Sequence, residues 1–180
     1  MAASDDDTQK RKRGGQPKPV RPVRIEGDVA YVTLTKGYVA VIDAADAAFV
    51  GQWNWQARVQ PHAVYAQRTE GRTSVQLHRE LLGVTDGRLV DHRSCDGLNN
   101  RRDNLRVADQ GQNQHNKRRP KNNDSGFKGV DFYARDKAWR ARIVVGGKRL
   151  ELGKFDTPEL AHAAYVRAAA EHHGEFARVS

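Results

Sequence analysis

Cysteine is almost missing from this chain: Cys95 is the only one in 180 residues. An intramolecular disulfide is therefore excluded, and so are zinc sites that need several thiolates. Long apolar runs are missing as well. Nothing approaches the ~20 consecutive apolar residues of a membrane-spanning helix, and the polar N-terminus has no secretory h-region. Both absences point to a cytoplasmic protein without membrane partners. Hydrophobic residues make up 38% of the chain, aromatics 7%, and mean hydropathy is −0.81. That is too little for one large core and suits small subdomains in series. Acid is in deficit: 31 Lys and Arg stand against 22 Asp and Glu, a net charge of +9. Such a balance favours nucleic acid over membrane, because the basic residues lie among polar ones with no amphipathic apolar face beside them. On charge alone, a ribosome-associated or merely soluble basic protein fits equally well.

Residues 1–24 combine Asp5 to Asp7, the run Lys10-Arg11-Lys12-Arg13, and Pro17, Pro19 and Pro22. They bury nothing and are expected to be disordered, as a solvated tail or, alternatively, a basic arm tracking DNA. From Asp28 the texture changes. Val29 to Thr35 reads as a strand, Lys36-Gly37 as a turn, and Tyr38 to Ile42 as the hairpin partner. Asp43 is placed to cap a helix over 44–52. Residues 53–59 and 63–69 read as a strand pair around Pro61, and Ser74 to Leu77 leads to a short helix, His78 to Leu82, closed by Gly83. Trp53 and Trp55, two apart on a strand, share a face and are expected to pack on the 44–52 helix rather than stack on bases. His78 is expected to make a structural hydrogen bond at a helix start.

The densest chemistry lies in Arg88 to Asn116, RLVDHRSCDGLNNRRDNLRVADQGQNQHN. Leu89-Val90 delivers Asp91 and His92 to a loop of turn-forming residues, Asp96 to Asn100. Asp103 to Val107 reads as a second strand, and Asp109 is placed to cap a helix with a basic end. Asp91 and the Asn amides offer hard oxygen ligands suited to Mg²⁺ or Mn²⁺. His92, with a reference pKa of about 6.5, can take a proton from water near neutral pH. Neighbours on a regular strand face opposite ways, so the two converge only where the strand breaks, and the loop at Arg93 offers such a break.

This stretch resembles the ββα-metal motif of HNH endonucleases, in the homing and phage-borne variant, through Asp91-His92, Asn104-Leu105-Arg106 and Asn113. The resemblance implies His92 as general base, Asp91 and Asn113 as ligands of one divalent ion, and Asn104 as the residue orienting base and scissile phosphate. The loop departs from relatives at Arg93, Ser94 and Cys95.

Residues 118–125, after Lys117, are a linker by composition, with Lys117, Arg118 and Arg119 suited to phosphates between two bound modules. Residues 126–180 read as a second unit: strands over 127–133, 138–145 and 148–155, a Gly146-Gly147 hairpin turn, and a helix from Pro158 to about His172. Gly126-Phe127-Lys128-Gly129-Val130, Trp139-Arg140-Ala141-Arg142-Ile143, Leu152-Gly153-Lys154-Phe155 and Ala161-His162-Ala163-Ala164-Tyr165 resemble the AP2/ERF domain. Trp139, Ala141, Ile143 and Val145 share one face, to be covered by Leu160, Ala164, Tyr165 and Ala168 of the helix. The other face would offer Arg135, Arg140, Arg142 and Arg149, with Lys128 nearby, to phosphates and guanine edges.

The expectation is an α+β protein: a disordered arm over 1–24, an endonuclease domain over 25–117 with its core at 88–117, a linker, and an AP2-like domain. The implied activity is hydrolysis of a phosphodiester in double-stranded DNA by a metal-dependent monomer without a small-molecule cofactor, in a bacterial host cytoplasm, leaving 5′-phosphate and 3′-hydroxyl ends. The alternative is a non-catalytic AP2-type transcriptional regulator.

Overall fold

A computed structural model describes residues 19–117, 119 and 123–179, so the arm up to residue 18 and Arg118 lie outside the described residues. The described chain is α+β, with three small three-stranded antiparallel sheets, one two-stranded sheet and short helices.

Alternation in Val29-Ala30-Tyr31-Val32-Thr33 buries Ala30 and Val32 and makes β2 (Val29–Thr33) the centre of the first sheet, between β1 (Val23–Glu26) and β3 (Val39–Asp43). The strand β1 reaches into the arm expected over 1–24 to be disordered: Val23 pairs with Val32 and Glu26 with Val29. Its charged, solvent-facing composition is that of a protected edge strand and gives no core signal. The helix expected over 44–52 is shorter, a 3-10 turn Ala44–Asp46 followed by α1 (Ala47–Val50). The second sheet is β4 (Gln56–Val59), β5 (Val64–Glu70) and β6 (Thr73–Gln76), ending at α2 (Leu77–Leu81). Trp53 and Trp55 precede β4 and pack as expected. The Trp55 Nε1 donates to Val50 O at 2.9 Å, and the Arg68 guanidinium lies 4.4 Å over the Trp53 ring. Ile42, Val50, Trp55 and Leu77 form the centre of one core that reaches across to Leu105.

The strand–loop–strand–helix unit is β7 (Leu89–His92), β8 (Leu105–Ala108) and α3 (Gln110–His115). Asp109 caps α3, accepting from Gln112 N at 2.8 Å while Gln112 Oε1 accepts from Asp109 N at 2.9 Å. This reciprocal pair satisfies two amides of the first turn and fixes where the helix starts. The loop between the strands is fastened to the first sheet. Val41 N donates to Leu98 O and Asn100 N to Val41 O, at 2.8 and 2.7 Å. Arg101 binds Asp43 and Asp28, while Arg102 binds Asp46.

In the C-terminal unit β9 (Val130–Tyr133), β10 (Ala138–Val145) and β11 (Lys148–Phe155) lie in the order β11-β10-β9 beneath α4 (Pro158–His173), capped by Thr157. Ala141 and Ile143 are buried as alternation requires. The covering stripe is Ala161, Ala164, Tyr165, Ala168 and Ala169; Leu160, expected within it, is 54% exposed. Leu160 sits one helical step from Ala161, and the close packing selects the smaller residue. Tight approach also explains Gly129, at φ +75, where an added Cβ would lie 2.2 Å from the Tyr165 ring. Among the described residues no helix is long and apolar enough to cross a membrane.

Candidate active site

Pairing in the β7–β8 hairpin sets Asp91 opposite Arg106 and His92 opposite Leu105. Because β7 stays regular through His92, the two side chains leave it on opposite faces. The strand break expected to bring them together does not occur. Each keeps only 5% of its surface exposed.

On one face, Asp91 Oδ2 accepts from Arg106 Nε at 2.9 Å and Nη2 at 2.7 Å, and Oδ1 accepts from Asn116 Nδ2 at 3.0 Å. The same Asn116 amide donates to His92 O at 2.8 Å. On the other face His92 joins a buried aromatic group. Its ring centroid lies 5.0 Å from that of His78 and 5.8 Å from that of Tyr65. His78 does not make the structural side-chain hydrogen bond expected of it: its Nδ1 is buried with no partner among the described residues. Burial pushes the His78 pKa down to about 3, with the charges of His92 and Arg79 adding to the effect. His78 is a neutral wall for His92 at any physiological pH. Burial also lowers the His92 pKa, opposed by the hydrogen bond to Asn100.

Asn100 is fully buried, and its Oδ1 lies 3.4 Å from His92 Nε2. The orientation of its amide is set independently, because Nδ2 donates to Leu98 O at 3.0 Å and to Gly97 O at 3.4 Å. An amide oxygen only accepts, so Nε2 carries the proton and the lone pair of neutral His92 sits on Nδ1. Asn104, expected to orient the base, acts on the loop instead. Its Oδ1 accepts from Ser94 N at 2.9 Å and its Nδ2 donates to Asn99 O at 2.6 Å. It holds the two ends of the loop that His92 enters, while Asn100 touches the ring. In the sequence Asn100 reads as turn chemistry, and nothing local separates it from Asn99.

Asn113 lines an open cavity of about 610 Å³ with Gly87, Leu89, Asp109 and Gln110. The residue that reaches Asp91 is Asn116, which closes α3 at its C-terminal end. The donors Asp91 and Asn113 fit a hard dication in kind. In place they do not: both Asp91 oxygens are occupied by Arg106 and Asn116, and His92 faces away. Among the described residues no group of three or more His, Cys, Asp and Glu is gathered to hold a metal ion.

The expected DNA-contact residues divide between two locations. Arg135 and Arg149 are exposed, whereas Arg140 and Arg142 share the Asp131 carboxylate at 2.8 and 2.5 Å, Arg140 lying over Tyr133. Arg119 donates to Asn123 O at 2.7 Å, and the Lys117 side chain is exposed. Lys128 belongs to the junction between the units. Its Nζ donates to His115 O at 2.6 Å and to Lys117 O at 2.7 Å, and burial lowers its pKa to about 8. The same junction stacks His115 on His173, with centroids 3.5 Å apart and planes within 9°. It also lays Arg106 over Phe176, 3.8 Å from the ring centroid, with Nη1 donating to Glu175 O.

The AP2 domain model matches residues 125–175, the unit of three strands and one helix. Protein 3.8 of Escherichia phage T7 is 35% identical over 108 residues, 59% of this chain and 88% of that protein. A protein of Acanthamoeba polyphaga mimivirus, named as an uncharacterized HNH endonuclease L560, is 30% identical over 158 residues, covering 83% of this chain and 80% of its own length. This chain belongs to their family. The AP2 unit alone is shared more widely: the ethylene-responsive transcription factor TOE2 of Arabidopsis thaliana is 41% identical over 58 residues, only 12% of its length. Family likeness thus spans both units, whereas the plant likeness stops at the second. No solved structure matches the chain significantly.

Proposed function

We propose that this protein is a DNA endonuclease of the HNH type, directed to double-stranded DNA by its AP2 domain. The observation that carries the reading is the buried imidazole of His92 with Asn100 Oδ1 3.4 Å from its Nε2, from which we assign the proton to Nε2 and the lone pair to Nδ1. A general base needs that state: neutral near pH 7, fixed in orientation, with one nitrogen free to accept. Water losing its proton to Nδ1 attacks the phosphorus, the bond from phosphorus to the 3′ oxygen breaks, and that oxygen takes a proton from solvent. Asn104 acts by holding the loop at Ser94 and Asn99, and Asn100 by holding the ring. The family likeness to a protein named as an HNH endonuclease supports the reaction class. Mg²⁺ or Mn²⁺ would polarise a phosphoryl oxygen when bound, but Asp91, closed by Arg106 and Asn116, and Asn113, which lines a different cavity, do not meet around one ion as they stand.

A second reading has its own support. Asp91 closed by Arg106, on the face of β7 away from His92, is what a DNA-binding regulator with an idle nuclease fold would show. A supercoiled-plasmid nicking assay separates the two. The nuclease reading expects nicking with Mg²⁺, none in EDTA, and a loss of at least ~10²-fold in His92→Ala with DNA binding retained. Full activity in that variant, or no nicking by the wild type under any divalent ion, ends it.

A further inference from the structure

Where the two units meet, a cavity of about 270 Å³ is lined by Arg93, Arg106, Asn116, Glu175 and Arg178. At about 30 Å³ per water it has room for roughly nine waters, enough for a tetrahedral oxyanion with part of its hydration shell. Two of its guanidiniums come from the nuclease unit and one from the segment after the AP2 helix. Glu175 is the one acid among the lining residues, and behind Arg106 stands Asp91. Among the described residues three arginines stand against these two carboxylates.

Glu175 is the informative residue. Its carboxylate lies 2.8 Å from Arg93 and 3.9 Å from Arg106, yet its side chain is 58% exposed. An exposed ion pair of this kind holds by only about 0–1 kcal/mol, so a competing oxyanion displaces it readily. The Arg93 side chain is held by the Glu175 carboxylate alone among the described residues, whereas Arg106 and Arg178 have further contacts. Arg106 is fixed by Asp91, by Glu175 O and by the Phe176 ring, and Arg178 Nη1 lies 3.4 Å from Cys95 Sγ. The planar fork of a guanidinium matches phosphate oxygens two at a time. A phosphate oxygen entering the cavity would meet the same guanidiniums that the Glu175 carboxylate meets.

We propose that this junctional cavity is a phosphate site, filled by a phosphodiester of the bound DNA in exchange for the Glu175 carboxylate. The site rests on the DNA-binding reading above and adds to it a contact that neither unit forms alone. It places a backbone phosphate beside the loop that leaves His92 at Arg93.

The test is duplex-DNA binding by the full chain in EDTA, where cleavage plays no part, measured across a salt series. Arg178→Gln is expected to weaken binding about tenfold and reduce the slope of log affinity against log salt by about one contact. Glu175→Gln is expected to act in the opposite direction, tightening binding several-fold, since it removes the competing charge. A purely structural role for either residue predicts the same sign for both variants, and thermal melting of each variant checks that the fold is retained. Inorganic phosphate added as competitor separates the sources. If the wild type responds to phosphate in thermal shift while neither variant alters DNA binding, the cavity takes a free anion and the proposal fails. It fails equally if Glu175→Gln weakens binding or Arg178→Gln leaves the slope unchanged. A chain that binds DNA normally in both variants and still nicks plasmid keeps the nuclease reading and loses only this site.

Discussion

The imidazole of His78 stands edge-on to that of His92, with ring centroids 5.0 Å apart and planes at 79°. Two buried histidines in contact cannot both carry charge, and burial keeps His78 neutral down to about pH 3. The unfolded chain, by contrast, protonates this residue near pH 6.5. Stability is therefore complete above about pH 6.5 and drains as pH falls toward 3, because the unfolded state binds the proton first. Each pH unit of this window costs about 1.4 kcal/mol per fully shifted group. His78→Phe, which keeps a ring and removes the titration, should flatten the dependence. Urea midpoints at about pH 7 and about pH 4.5 measure it, and an equal acid loss in wild type and variant would refute the assignment to His78.

Asn100 should control the protonation of His92. In Asn100→Leu the imidazole loses the partner that selects Nε2–H, and nicking should slow by about tenfold. Nitrogen NMR shifts should show mixed tautomers in the variant and one in the wild type. Asn100→Asp instead places a carboxylate at Nε2, which raises the His92 pKa and moves the acid limb of the pH–rate profile upward. An unchanged profile in the Asp variant would remove Asn100 from the mechanism.

Asp91 and Arg106 form an ion pair with both partners under 10% exposed. Removing one partner leaves the other charged and buried, so Asp91→Leu or Arg106→Met alone should cost about 3–5 kcal/mol. Replacing both, as Asp91→Leu with Arg106→Met, should recover much of that loss, and denaturant unfolding of all four proteins closes the cycle. Additive losses would mean that the two residues do not depend on each other.

Truncation after Lys117 should do more than lower DNA affinity. It strips Phe176 and Glu175 from Arg106 and His173 from His115. The isolated N-terminal unit should melt lower, by about 4–8 °C for each kcal/mol lost at the junction. A fragment melting with the full chain would show the contacts to be incidental.

Much of this architecture is legible in the residues themselves. Strict alternation announces β2 and β10, Asp109 with Gln112 announces the start of α3, and Gly146-Gly147 the last hairpin. What escapes is set by partners distant in sequence. The strand β1 alternates Val23 and an exposed Ile25 with Arg24 and Glu26, and exists because β2 offers it an edge. Asn100 becomes a contact of the base only because Gly97 and Leu98 turn its amide. Asn116 takes the place beside Asp91 because a capped helix of that length rotates it there. Lys128 looks like one more surface cation until the junction surrounds it. Leu160 and Ala161 differ by one helical step, and the packing distance of α4 on the sheet decides between them.

The stacked pair His115 and His173, with Lys128 pinned to two carbonyls beside it, braces the two units against each other at their junction. A nuclease hung on a slack leash would scatter its cuts over every phosphate within reach. If the proposed cleavage holds, one braced in this way measures a set number of base pairs from whatever sequence its partner unit grips. On that basis the cut positions on a random-site library should fall at a single offset, and loosening the brace should blur them.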